Sequence, residues 1–180
     1  MNERTVGGAV RIENQGGSLE GHTPRGFAGS GTGLFAGDNL NANFPEGEGV
    51  QIWLTFELPE GTAVPETALL TSNALSESGS PFTDLGALQA ELVSYESFGP
   101  PLFDLVAEAP AVTCERVEVS GLSCDVSASA RAAIEAGRST VQYRLKFETV
   151  ADGDGQQDLA LFFLSDSNTN EPGIFALELT

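Results

Sequence analysis

The sequence predicts an all-β fold: an antiparallel β-sandwich with one short helix near residues 127–136. Three observations carry this expectation. Apolar and polar residues alternate with period two in several short runs. Gly, Pro, Asn and Ser punctuate the gaps between those runs. Helical spacing of apolar residues stands out only once. A chain of 180 residues that is 41% hydrophobic suits one domain with a sizeable core, and no repeat or linker divides it.

Residues 1–49 are rich in Gly and Asn and read as an N-terminal arm with first short strands. Val10-Arg11-Ile12-Glu13 alternates, and Leu34-Phe35-Ala36 is an apolar patch. The arm is expected to be part of the same domain or docked on it, pinned by its own sheet or by a neighbouring subunit. Residues 50–180 form the sandwich proper. Val50, Ile52, Leu54, Phe56 and Leu58 alternate with Gln51, Trp53, Thr55 and Glu57, the pattern of a half-buried strand. Pro59-Glu60-Gly61 ends it. Thr67 to Leu75 is the next strand, and Ser76 to Pro81 reads as a loop. Leu88 to Tyr95 alternates again before Gly99-Pro100-Pro101 breaks the chain.

Val126, Ala130, Ala133 and Ile134 fall at i, i+4, i+7 and i+8, so they share one helical face. Asp125 or Ser127 can cap the start, and Gly137 suits the residue just past the end. Val141, Tyr143, Leu145 and Phe147 then face one way while Gln142, Arg144, Lys146 and Glu148 face the other. Leu159 to Leu164 is continuously apolar, as in a strand covered on both faces. Ile174 to Leu179 is the last strand.

Charge excludes some functions. Twenty-six acidic against eight basic residues give a formal charge of -18, which repels phosphate backbones and anionic membrane surfaces. No nucleic-acid partner is expected. No run approaches eighteen apolar residues, so no membrane insertion is expected either. The start, Met1-Asn2-Glu3-Arg4, shows no apolar leader segment. An acid-rich surface with Lys146 as the one lysine suits a saline or extracellular setting, or simple solubility.

Cys114 and Cys124 flank a strand, a Gly turn and a second strand, so a hairpin can bring them to disulfide distance. Such a bond points to an oxidising compartment; two buried thiols are the alternative. The most specific local pattern is Asp152-Gly153-Asp154-Gly155-Gln156-Gln157-Asp158. Asp152, Asp154 and Asp158 in a Gly-rich loop can wrap a hard cation, with calcium as the candidate cofactor. A solvated turn explains the same residues. Asp38, Asn41 and Asn43 form a second, weaker oxygen-rich cluster.

Trp53 lies on the polar phase of its strand. With Tyr95 it is the candidate ligand-binding aromatic, able to stack on a sugar ring or anchor a partner. The other reading covers both faces of the strand, with the arm over Trp53. Catalysis finds little support. His22 is the lone imidazole, no nucleophile elbow is present, and the glycines around Gly29 to Gly37 lack a following helix and lysine. No catalytic residue is assigned.

Four stretches between about residue 50 and 180 carry a likeness to a known family. They are Ile52 to Pro59 with Val64 and Ala68-Leu69-Leu70, and Cys124-Asp125-Val126-Ser127 with the helix to Gly137. Gln142 to Phe147 with the aspartate loop is the third, and Phe163-Leu164-Ser165-Asp166 with the final strand the fourth. On these stretches the chain resembles the DNRLRE-type domain family. The name-giving tripeptide and the usual helix aromatic are absent. The resemblance implies an extracellular jelly-roll module without catalytic residues. The expected function is therefore a structural and interaction domain, extracellular or at the cell surface. Its partners would be other copies of itself, through strand addition by the arm into a filament, or surface proteins. A calcium-dependent carbohydrate-binding module with a polysaccharide partner is the alternative, and a polysaccharide hydrolase the outlying one.

Overall fold

A computed structural model describes residues 3–6, 9–15, 21–24, 34–41, 44–163 and 173–180. Thirteen strands run through them, all paired antiparallel: β1 (Glu3–Val6), β2 (Ala9–Glu13), β3 (Gly21–Pro24), β4 (Leu34–Asn41), β5 (Phe44–Glu57), β6 (Ala68–Ser72), β7 (Leu75–Ser78), β8 (Leu88–Val93), β9 (Val112–Val117), β10 (Gly121–Asp125), β11 (Thr140–Phe147), β12 (Asp158–Phe162) and β13 (Ala176–Leu179). Two α-helices, α1 (Pro81–Asp84) and α2 (Ser127–Glu135), and a 3₁₀ helix at Pro100–Asp104 complete the chain.

The strands form a curled sheet folded into two layers, as the sequence predicts. One layer runs β1-β2-β13-β6-β10-β9; the other runs β8-β11-β5-β4-β12-β7, with β3 also beside β5. The layers meet at a short seam, where Gln89 and Ala90 of β8 pair with Thr113 and Val112 of β9. Period-two alternation fills the space between. Ile52, Leu54 and Phe56 of β5 and Val141, Tyr143, Leu145 and Phe147 of β11 share one core with Ala68 and Leu70 of β6 and Leu177 and Leu179 of β13. Val126, Ala130, Ala133 and Ile134 bring one face of α2 into that core. Gly137 ends the helix at φ 72°, and its N–H returns to Ile134 O. Asp125 Oδ1 accepts the Ser127 N–H at 3.1 Å, which supplies the helix entry. Burial raises the Tyr143 hydroxyl to a pKa of about 12, partly offset by its hydrogen bond to Ser129.

Cys114 and Cys124 sit opposite each other in the β9–β10 hairpin and are joined by a disulfide. Closing so short a loop reduces unfolded-state freedom by about 2–3 kcal/mol in the chain-entropy model.

Three local readings differ from the structure. The run from Thr67 to Leu75 is two strands, because Ser72 turns the chain: its hydroxyl donates to Ile174 O at 2.7 Å and accepts the Ala74 N–H. Residues 76–78, read as loop, belong to β7, whose polar sequence suits the last strand of its layer. The strand placed at Val50 already begins at Phe44, and the arm is woven in: β2 lies between β1 and β13, while β3 and β4 flank β5. β1 pairs with β2 of its own chain. Met1 and Asn2 lie outside the described residues, as do Leu164 to Asp166.

The outer face of β11 is covered as well. Gln142 and Arg144 point there, as alternation requires, and are buried. The segment after β8 folds back over this face. Tyr95, Phe98, Leu102 and Leu105 pack with Val93 and Trp53 in a second, smaller apolar cluster. Its polar neighbours are satisfied locally. Gln142 Nε2 donates to Thr55 Oγ1 at 3.1 Å, and its Oε1 accepts the Tyr95 N–H at 2.9 Å.

Candidate metal centre

Strand pairing brings together residues that lie far apart in the sequence. Asp38 of β4 is the direct cross-strand partner of Asp158 of β12, so the two side chains share one face of the sheet. On that face Leu34 and Ala36 precede Asp38, and Ala160 and Phe162 follow Asp158, all four in the main core. The two carboxylates therefore stand where the core ends.

Two glycines of β5 leave room beside them, one for Val150 and one for the Asp38 carboxylate. Gly49 is the cross-strand partner of Asp38. A Cβ at Gly49 would overlap Val150, and one at Gly47 would overlap the Asp38 carboxylate. Gly47 also holds φ at 91°, a conformation that L side chains disfavour.

The loop after β11 curls over this position through its own aspartates. Asp152 Oδ1 accepts the Asp154 N–H at 3.2 Å, and Asp154 Oδ1 accepts the Gln156 N–H at 2.7 Å. Gly153 and Gly155 take φ of 72° and 76°. Asp152, Asp154 and Asp158 each offer a carboxylate oxygen, and these lie within 4.8 Å of one another. Asp152 and Asp154 are exposed, while Asp158 is buried. Asp158 Oδ1 accepts the Ser80 N–H at 2.6 Å, which seats the turn between β7 and α1 on the site.

Three buried oxygens here have no hydrogen-bond partner: Asp158 Oδ2 and both oxygens of Asp38. Asp38 is 0% exposed. Burial pushes its carboxyl above the ordinary carboxylate range. The nearby amides of Gly153 and Asp152 offset part of this without closing a hydrogen bond of good geometry, and the Asp152 and Asp154 carboxylates add to the rise. Anionic oxygens buried without donors are costly. A hard cation relieves that cost, and calcium takes six to eight oxygen ligands of this type. A donor set of carboxylates alone suits calcium, magnesium or manganese better than zinc or copper.

The structure joins parts of the two oxygen-rich clusters read separately from the sequence. The pairing of Asp38 with Asp158 is the missed feature, and no local pattern carries it. Asn41 ends β4, its side chain lying outside the described residues along with Asn43. His22 falls in β3, and its side chain too lies outside them.

Trp53 does not present a binding face. It is 0% exposed, with Tyr95 edge-on at 5.7 Å and the Arg144 guanidinium 5.3 Å from its ring centre. The cover is the segment after β8, where the sequence suggests the arm. Tyr95 is half-buried, and its hydroxyl lies 3.2 Å from Thr55 Oγ1. Both aromatics serve this cluster. Among the described residues, no helix is long and apolar enough to cross a membrane. A scan against protein-family models finds no match to the chain, and a comparison with curated proteins finds no relative.

Proposed function

We propose that the chain is a non-catalytic structural and interaction domain of an extracellular or cell-surface protein, and that it works with calcium bound. The observation that supports this best is the convergence of Asp152, Asp154 and Asp158 on one point, with Asp158 Oδ2 buried and unpartnered. Calcium at millimolar levels is a feature of extracellular settings, where weak sites of this chemistry operate. The disulfide and the acidic surface fit the same setting. The resemblance to DNRLRE-type domains points the same way. The site offers oxygen ligands rather than a paired nucleophile and base, so binding rather than turnover is its chemistry. Carbohydrate stacking loses its support, because Trp53 has no open face.

Calorimetric titration tests this reading. Calcium added to chelator-stripped protein should bind at one site with a dissociation constant between about 1 μM and 1 mM. Asp154→Asn should weaken binding roughly tenfold, as expected for loss of one charged ligand. Absence of heat and of any melting shift in millimolar calcium overturns the calcium reading.

A further inference from the structure

We infer that Asp38 is a ligand of the same ion, and that the ion thereby cross-links strand β4 to strand β12 and the 151–157 loop. This rests on the calcium reading above and extends it from a surface loop into the end of the core. Four observations carry it. Asp38 is fully buried, and neither of its carboxylate oxygens accepts a hydrogen bond of good geometry. It stands directly across from Asp158, whose Oδ2 is likewise unpartnered. Asp158 in turn brings a carboxylate oxygen within 4.8 Å of those of Asp152 and Asp154, so the register sets Asp38 next to a member of the loop cluster. Gly47 leaves the space its carboxylate occupies, and a Cβ there would fill it.

The two kinds of ligand divide the work. Asp152 and Asp154 face water, so their surplus charge stays hydrated when the ion is bound. Asp38 and Asp158 form the inner wall, where no solvent competes. A wall built of buried carboxylates disfavours magnesium, which keeps several of its waters and demands near-ideal octahedral geometry. Calcium accepts the irregular, carboxylate-rich set. The competing account has Asp38 sharing a proton with a neighbouring carboxyl and no role toward the ion.

Asp38→Asn separates the two. The experiment uses the full chain, chelator-stripped, with calorimetric titration and thermal melting with and without calcium. Wild type should melt about 5–10 °C higher at a hundredfold excess of calcium over its dissociation constant. Asp38→Asn should bind calcium at least about 100-fold more weakly, from loss of a buried charged ligand. Its calcium-free form should melt above calcium-free wild type, because Asn removes an uncompensated buried charge. Asp152→Asn should weaken binding roughly tenfold and leave calcium-free melting unchanged, since Asp152 is exposed. Calcium binding by Asp38→Asn equal to wild type overturns the inference and leaves the loop site standing. A wild type that ignores calcium overturns both. Should Asp38→Asn fail to fold, hydrogen exchange on wild type decides. Calcium that slows amides at 37–39 as well as 152–158 supports the cross-link; slowing confined to 152–158 overturns it.

Discussion

Trp53→Ala is expected to destabilise the protein by about 3–5 kcal/mol, the usual cost of truncating a fully buried large aromatic. The ring lies on the outer face of β5, away from the main core, and its neighbours come from elsewhere in the chain. Val93 precedes the covering segment, Tyr95 and Leu102 lie within it, and Arg144 reaches over the ring from β11. Truncation removes the surface on which residues 95–105 rest, so this segment should become the first site of proteolysis. Melting should fall by roughly 10 °C or more. Trp53 is the one tryptophan, so wild-type emission reports on this cover. It should be blue-shifted in the native state and shift red before the main transition if the cover lifts first. A loss below about 1 kcal/mol in chemical denaturation would show that the segment is held by other contacts.

Glu91→Leu should cost a similar amount, about 3–5 kcal/mol, by stranding a charge. Glu91 Oε2 accepts from Arg144 Nε at 2.7 Å and also from Nη2, and Glu91 Oε1 faces Lys146 Nζ at 3.1 Å. Side-chain exposure is 6% for Arg144 and 9% for Glu91, so water cannot replace the lost carboxylate. Arg144 Nη1 still donates to Leu105 O at 2.8 Å, which holds the guanidinium in place without neutralising it. Lys146 is more exposed and can turn to solvent. The double variant Glu91→Leu with Arg144→Met should recover most of the loss, since an apolar pair of similar volume often replaces a buried ion pair at little cost. A thermodynamic cycle over the four proteins checks this. Additive effects would mean that the pair is not coupled.

These two residues also mark where the sequence stops being legible. Core strands are plain in it because burial follows the period of the backbone: Ile52, Leu54 and Phe56, then Val141, Tyr143, Leu145 and Phe147, are all buried as alternation requires. Helix α2 is legible from four residues on one face, and the hairpin of Cys114 and Cys124 from its turn. Alternation also says that Trp53, Gln142 and Arg144 face away from the core, which is correct. It cannot say that another segment lies over them. That cover is a long-range fact, and the polar residues beneath it look identical to solvent-facing ones. The candidate metal site divides the same way. Asp152, Asp154 and Asp158 are local in sequence and visible as a loop pattern. Asp38 reaches them only because β4 pairs with β12.

The seam between β8 and β9 bears on how such a chain finds its fold. Pairings such as Val10 with Leu179, Trp53 with Arg144 and Asp38 with Asp158 join distant parts of the sequence. Each requires a long loop to close before any contact rewards it, which slows folding. The hairpin of β9 and β10 needs no such closure, and hairpins of this kind form in about 1–10 μs. It already holds one strand of each junction: β10 awaits β6, and β9 awaits β8, which in turn carries β11. An oxidised chain therefore enters folding with the corner of the sandwich tied. In a reduced chain, that corner is held by hydrogen bonds alone while the distant strands search for it.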